Sequence, residues 1–260
     1  MLTMTEVVAS LARRLSAGET LLLGWSGIPD PAVPELMTRA GFDAAALDMQ
    51  HGAWTYASAL SGISAVASAG KPCLVRIPVD EFPTVSRLLD AGAAGVIAPM
   101  INSAADARAF AAFAKLPPLG ERSWGPARAL GLTGLSADAY LARANGIHQA
   151  IAMVETREAM AALDDILDTP GIDGVLVGPS DLSIALSNGA KLDADGAEVD
   201  SALTHIAAAC RKRGKTAAVF CHSGARAREL VRRGYNLLSV GNDQILLRQA
   251  AVAEMAVARG

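Results

Sequence analysis

Cysteine is scarce in this 260-residue chain: Cys73, Cys210 and Cys221 are the only three, odd in number and without CxxC spacing. A disulfide framework or a zinc knuckle is therefore excluded, and a reducing, cytoplasmic location is expected. Aromatic residues make up 4% of the chain, the net charge is −3, and the arginines are dispersed rather than clustered. Nucleic-acid surfaces need a basic stripe and stacking platforms, so neither DNA nor RNA is an expected partner. No stretch approaches the ~18 consecutive apolar residues of a membrane span. Residues 1–16 carry Glu6, Arg13 and Arg14 and no uninterrupted apolar core, so they do not read as a secretory signal. There is no Walker loop and no GxGxxG after a strand-like run. The five lysines (Lys71, Lys115, Lys191, Lys212 and Lys215) all fall away from the C-terminal ends of the predicted strands. Schiff-base chemistry thus has no candidate nucleophile.

What the chain does have is apolar content, 52% of its residues, arranged in short runs with helix-like segments between them. Strands are predicted at 21–25, 44–49, 73–78, 95–100, 149–155, 174–179, 216–220 and 237–241. Gly41, Gly70, Gly171, Gly214 and Gly234 each precede one of these runs, as expected where a helix stops and a turn leads into a strand. A β–α unit repeated through the whole chain, with no linker and no change of composition, predicts one domain over residues 1–260. Its fold class is α/β, a single-domain (β/α)8 TIM barrel, which typically takes about 250 residues. The irregular interval is 116–146, rich in Pro and Gly near its start. A loop of that size is expected to serve the active-site mouth or a subunit contact.

On such a barrel the C-terminal strand ends converge on one mouth. Collected there are Trp25, Asp48, Gln50, His51, Arg76, Pro99, Met100, Glu155, Ser180, Asp181, Cys221, His222, Asn242 and Asp243. Glu155 and Asp181 each follow an apolar run, and two acids at one sheet edge repel unless a cation joins them. A hard divalent ion fits, with water and substrate completing its shell. The plainer alternative makes them acids at helix N-termini. Arg76 sits within Leu74-Val-Arg-Ile-Pro78, where an unpaired charge is costly. Its fork suits a carboxylate or a developing enolate oxygen, or else a structural ion pair. His51 is a candidate general base, or else a hydrogen-bonded structural group, whereas His222 reads as structural or peripheral, and His148 and His205 lie away from the strand ends. The turn 178–183 opens a helix whose N–H groups at Ser180 and Asp181 can receive a small carboxylate, unless those side chains simply cap the helix.

Several segments in this order resemble one family. Leu47-Asp-Met-Gln-His51, Val75-Arg-Ile-Pro78, the 89–100 helix–strand junction, Val154-Glu-Thr-Arg-Glu-Ala159, Val177-Gly-Pro-Ser-Asp-Leu-Ser183 and Val240-Gly-Asn-Asp243 are similar to segments of the metal-dependent (class II) pyruvate aldolases. The resemblance is to the 4-hydroxy-2-oxoheptanedioate aldolase family, within the citrate-lyase-beta and phosphoenolpyruvate-mutase-like barrels. It implies a lyase that cleaves a 4-hydroxy-2-oxo acid into an aldehyde and pyruvate, or a related 2-oxo acid such as hydroxypyruvate. It also implies Glu155 and Asp181 as ligands of Mg²⁺, Mn²⁺ or Co²⁺, and Arg76 as the group facing the enolate. His51 would be the base acting through water, supported by Asp90, an acid that can come from a neighbouring subunit. The backbone at Ser180 and Asp181 would hold the substrate carboxylate. A homo-oligomer, commonly a hexamer, follows from the resemblance. Trp25, the 117–126 loop with Arg122 and Trp124, and residues 219–223 are candidates to line the aldehyde pocket, with Arg122 either selecting an acidic aldehyde tail or packing between subunits. Two departures stand out: Gln50 replaces the more usual Glu, and Met153 stands where many relatives carry glutamine. Two other functions use the same residues, an oxaloacetate-type decarboxylase and a non-catalytic 2-oxo-acid-binding protein.

Overall fold

The computed structural model describes residues 6–260; the first five residues of the predicted 1–260 domain and of the 1–16 segment lie outside it. Eight parallel strands follow one another around a closed barrel: β1 (Leu21–Ser26), β2 (Ala44–Asp48), β3 (Cys73–Arg76), β4 (Gly95–Ala98), β5 (Gln149–Met153), β6 (Gly174–Val177), β7 (Thr216–Val219) and β8 (Leu237–Asn242). The barrel closes through β1 and β8, with Leu21 opposite Leu237 and Leu22 opposite Leu238. This is the predicted (β/α)8 barrel. Each expected strand is present, and most end a residue or two earlier than the apolar run does. Beyond those points the backbone leaves the ladder to present side chains at the mouth, and hydrophobicity alone does not mark that step.

Strands covered on both faces need apolar residues at successive positions, and β2 is buried along its whole length. Ala44 and Ala46 face the barrel interior with Leu21, Leu23, Trp25, Leu74, Ile97, Ile151, Met153 and Leu176. Ala45 and Leu47 face the helical layer, with Ile63, Val75 and Val85. Small alanines opposite large aliphatic side chains let the interior fill without voids. The first helix, α1 (Val7–Ser16), adds Val8, Leu11 and Leu15 to the interior cluster. It closes the N-terminal end of the barrel and leaves the C-terminal end as the open mouth.

Helices α2 (Ala32–Arg39), α3 (Tyr56–Ser68), α4 (Phe82–Asp90) and α5 (Ala104–Ala114) follow β1 to β4. The irregular interval then resolves into α6 (Ala127–Thr133) and α7 (Ala137–Ile147). The remaining layer is α8 (Arg157–Ala161), α9 (Leu163–Asp168), α10 (Pro179–Leu186), α11 (Ala197–Lys212) and α12 (Gly224–Arg233). The last helix, α13 (Asp243–Arg259), is exposed from Leu247 onward and carries Leu247, Val252, Met255 and Val257 on its surface. No helix among the described residues is long and apolar enough to cross a membrane.

Lys115, just past α5, is almost wholly buried. Its ammonium donates to the Asn145 carbonyl at 2.8 Å, the His148 carbonyl at 2.7 Å and Asp173 at 2.6 Å. Three acceptors saturate its three protons, so this lysine fastens α5, α7 and the start of β6 rather than serving as a nucleophile. Lys115→Ala would strand Asp173 and two carbonyls, and it is expected to cost about 3 kcal/mol in urea unfolding. Lys115→Met, which keeps the volume, is expected to fail to restore that loss. A wild-type unfolding midpoint in the Ala variant would show that the buried lysine is dispensable.

Candidate active site

The mouth is organised around Asp48, the last residue of β2. Register places it beside Arg76, the last residue of β3. Arg76 donates through Nε to Asp48 Oδ1 at 2.8 Å and through Nη2 to Oδ2 at 2.5 Å, both residues being buried. Trp25 Nε1 donates to Asp48 Oδ2 at 3.1 Å, and the backbone N–H groups of Gln50 and His51 donate to Oδ1 at 3.0 and 3.2 Å. Burial alone would push the Asp48 carboxyl up. The Arg76 ion pair and these N–H donors outweigh it and hold the carboxyl below the usual carboxylate range.

The structural ion pair posed as one alternative for Arg76 therefore forms, and it consumes only one edge of the guanidinium. Its Nη1 faces Met153 Sδ at 4.0 Å and borders the cavity, and its guanidinium carbon lies 5.0 Å from the Trp25 ring centre. Asp48 was visible in the sequence only as one acid among several strand ends. The available signal was the pairing of β2 with β3, which sets the two charged residues side by side.

The second acidic centre has no such compensation. Glu155 is 3% exposed, so it is not a surface acid at a helix start. Its Oε1 accepts only from the Met100 N–H, at 3.1 Å, and Met100 takes a left-handed backbone (φ 57°) to present that donor. A Cβ added to Gly178 would lie 2.6 Å from Glu155 Oε2 and 3.5 Å from Asp181 Oδ2. Both carboxylates thus converge on one glycine, whose missing side chain leaves them the space between. Burial, reinforced by the Asp181 charge against the opposing Met100 N–H and Arg76, pushes the Glu155 carboxyl up from 4.5 to about 7. Two converging carboxylates, one of them buried without a basic partner, fit a hard divalent cation.

Trp25, His51, Arg76, Met153, Leu176, Gly178, Ser180, Asp181, Phe220 and His222 line one cavity of about 140 Å³. The expected residues Trp25, His51, Arg76, Ser180 and Asp181 are thereby brought together, and Glu155 lies against the lining residue Gly178. Gly178 is the N-cap of α10, and neither Ser180 nor Asp181 caps it through a side chain. The capping alternative is not realised, and the first-turn N–H groups lack intrahelical partners, as they must.

Asp90 stands apart. It ends α4, on the side of the barrel where β4 begins, and pairs with Arg122 Nη2 at 2.5 Å. Arg122, with a side chain 1% exposed, also donates to Tyr140 Oη at 3.3 Å. His148 Nδ1 lies 2.9 Å from the Ala93 carbonyl, which fixes its proton there, so Nε2 accepts from Tyr140 Oη at 2.6 Å. Burial holds His148 well below the usual imidazole range, hence neutral. Arg122 does not reach the cavity of its own chain: its charge is buried against Asp90 at the opposite rim.

The HpcH/HpaI aldolase/citrate lyase family matches residues 22–250 of this chain. The chain belongs to that family. The hydroxypyruvate/pyruvate aldolase of Rhizorhabdus wittichii is 37% identical over 242 residues, which span 93% of this chain and 95% of the relative. A 4-hydroxy-2-oxo-heptane-1,7-dioate aldolase of Salmonella dublin is 33% identical over 92% of this chain and 90% of its own length. Among solved structures, a family member from Burkholderia cenocepacia J2315 superposes with a TM-score of 0.87, at 29% identity, over 97% of this chain and 100% of that one. The chain is accordingly an enzyme, a carbon–carbon lyase of the aldolase kind, which sets aside the non-catalytic reading.

Asp48→Asn keeps the shape but leaves Arg76 buried without a counter-charge, and it is expected to cost about 3–5 kcal/mol in denaturant unfolding. A stability unchanged from wild type would show that the pair does not hold the mouth. Glu155 carries the opposite sign. Its folded value lies above its ordinary one, so the metal-stripped protein is expected to lose stability as pH rises from 4.5 to about 7, and no more from this group above that. Glu155→Gln should flatten this part of a Tm–pH curve, and parallel curves for the two proteins would contradict the assignment.

Proposed function

We propose that the chain is a divalent-metal-dependent aldolase. It reversibly cleaves a 4-hydroxy-2-oxo acid into an aldehyde and pyruvate, or a related 2-oxo acid such as hydroxypyruvate. The observation that carries this reading is the convergence of Glu155 and Asp181 on Gly178, beside a cavity lined by Gly178, Asp181 and Arg76. Glu155 and Asp181 would hold Mg²⁺, Mn²⁺ or Co²⁺, which when bound supplies Lewis acidity to the oxygens of the 2-oxo acid.

The chain's own groups divide the remaining work. The first-turn N–H groups of α10 at Ser180 and Asp181 receive the substrate carboxylate. Arg76 directs Nη1 at the oxygen that gains charge when the methyl proton leaves, and its anchorage on Asp48 removes the need to reorient during reaction. In the synthetic direction His51, through a water, takes that proton, the new C–C bond forms and the proton passes to the acceptor's carbonyl oxygen. In cleavage the hydroxyl proton leaves to His51 as that bond breaks and then passes to the enolate carbon. Trp25 and Phe220, packed edge to face at 5.4 Å, supply an apolar wall that limits bulk water.

A homo-oligomer, a hexamer by resemblance, belongs to the same proposal, with Asp90 of a neighbouring subunit supporting His51. The exposed apolar residues of α13 and the distance of Asp90 from the mouth of its own chain support it. Three free, buried thiols accord with a cytoplasmic location.

Hydrogen–deuterium exchange at the methyl group of pyruvate tests the donor half without any aldehyde. Exchange is expected with restored divalent metal and is expected to vanish in Glu155→Ala and Asp181→Ala. In His51→Ala it should fall by roughly 10²–10⁴-fold, while metal-dependent decarboxylation of oxaloacetate, which needs no such base, persists. Full exchange by metal-stripped wild-type enzyme would overturn the proposal.

A further inference from the structure

His222 was expected to be structural or peripheral, and its surroundings assign it to the cavity. It follows β7 at the mouth, and the backbone carrying it is locked on every side. Phe220 N–H donates to the Val177 carbonyl at 3.0 Å, Cys221 N–H to Ser239 Oγ at 3.0 Å, and Gly241 N–H to the Cys221 carbonyl at 2.7 Å. Ser223 then caps α12 through its side chain. An exposed histidine on so fixed a stretch is not a floating surface residue.

The ring completes a stack that rises from the floor of the site. Trp25, anchored on Asp48, packs edge to face on Phe220, and Phe220 packs in the same manner on His222, with centroids 5.2 Å apart and planes at 72°. Along this wall the side chains are apolar until His222. There Nε2 lies 3.3 Å from Ser180 Oγ, a contact near the long limit for a hydrogen bond. Both groups retain capacity to bond to something between or beside them, and both line the cavity.

The acids, Arg76 and the N–H groups of α10 occupy the floor and would be filled by the 2-oxo acid. The second reactant must then approach along the aromatic wall toward the rim. The cavity of about 140 Å³ opens toward that rim, where His222 and Ser180 are among its lining residues. We infer that His222, with Ser180, recognises an oxygen substituent on the acceptor, making a hydroxyaldehyde the preferred class. This rests on the aldolase reading above. An acceptor without that oxygen would cover the pair and offer it no partner, and such a mismatch discriminates more strongly than a missing methylene does.

The experiment uses the metal-loaded, full-length enzyme with pyruvate as donor and two acceptors differing by one hydroxyl, glycolaldehyde and acetaldehyde. The quantity read is the ratio of their kcat/KM values, compared between proteins so that intrinsic aldehyde reactivity cancels. His222→Leu is expected to lower the ratio about fivefold, and His222→Gln, which retains a donor and an acceptor, to recover part of it. Methyl exchange of pyruvate should remain at the wild-type level in both variants, because the floor is untouched. An unchanged ratio, or equal losses for both aldehydes, would overturn the role of His222. Absence of exchange in the wild-type enzyme would instead overturn the aldolase reading itself.

Discussion

The ion pair between Asp48 and Arg76 is the interaction on which the mouth of the barrel depends. A charged fork at the end of a buried strand is tolerated only because an acid on the next strand meets it in two places. The same carboxylate receives Trp25 and the backbone of Gln50 and His51. One residue thereby fixes an aromatic wall, a positive charge and the backbone of His51. Gly52 extends the anchorage. A Cβ there would lie 2.4 Å from the Asp48 carbonyl and 2.8 Å from Gly27 Cα, so only glycine lets the loops after β1 and β2 touch. Asp243 holds the other side of that contact by accepting from Ser26 Oγ and the N–H groups of Gly27 and Ile28.

At one mouth, the barrel keeps two acids in opposite conditions. Asp48 is buried and compensated, and its carboxyl is held down; Glu155 is buried and uncompensated, and its carboxyl is pushed up. Neighbouring carboxyls with divergent environments are a mark of divided roles. Asp48 serves positioning, since every lone pair it has is engaged by the protein. Glu155 has one donor, the Met100 N–H, and that donor costs the chain a left-handed methionine. Such backbone strain persists where the surrounding structure over-determines it, and it accumulates at functional sites.

The barrel was legible in the sequence because its signals are repeated and local: apolar runs, helix stops at glycine, and polar residues just past each run. Glu155, Asp181, Arg76 and His51 were legible as neighbours for the same reason, as charged or titratable residues at or just past the ends of apolar runs. Asp48 as an anchor was not, because its importance comes from a partner on another strand, 28 positions away. The burial of Arg122 was not legible for a related reason. A Pro- and Gly-rich loop reads as exposed, and nothing local shows that Tyr140 and Asp90 close over its one arginine. The contacts of His222 were not legible either, because Ser180 belongs to α10 and the residues that hold the neighbouring backbone belong to β6 and β8.

The far rim explains why assembly matters to the proposed chemistry. Strands of four to six residues, rising about 3.3 Å per residue, span roughly 13–20 Å. Asp90 lies at the end where β4 begins and His51 at the end where β2 finishes, so the packed interior of the barrel separates them within one chain. The network of Arg122, Tyr140 and His148 also holds Asp90 where it is, and neutral His148 leaves the Arg122 charge to Asp90 alone. No loop movement short of dismantling that rim would carry Asp90 to its own mouth. A contribution from this acid to His51 therefore requires a second copy whose far rim docks against the first copy's mouth. The rigidity of the network is what such a contact needs, because an acid offered across an interface must be oriented before the partner arrives.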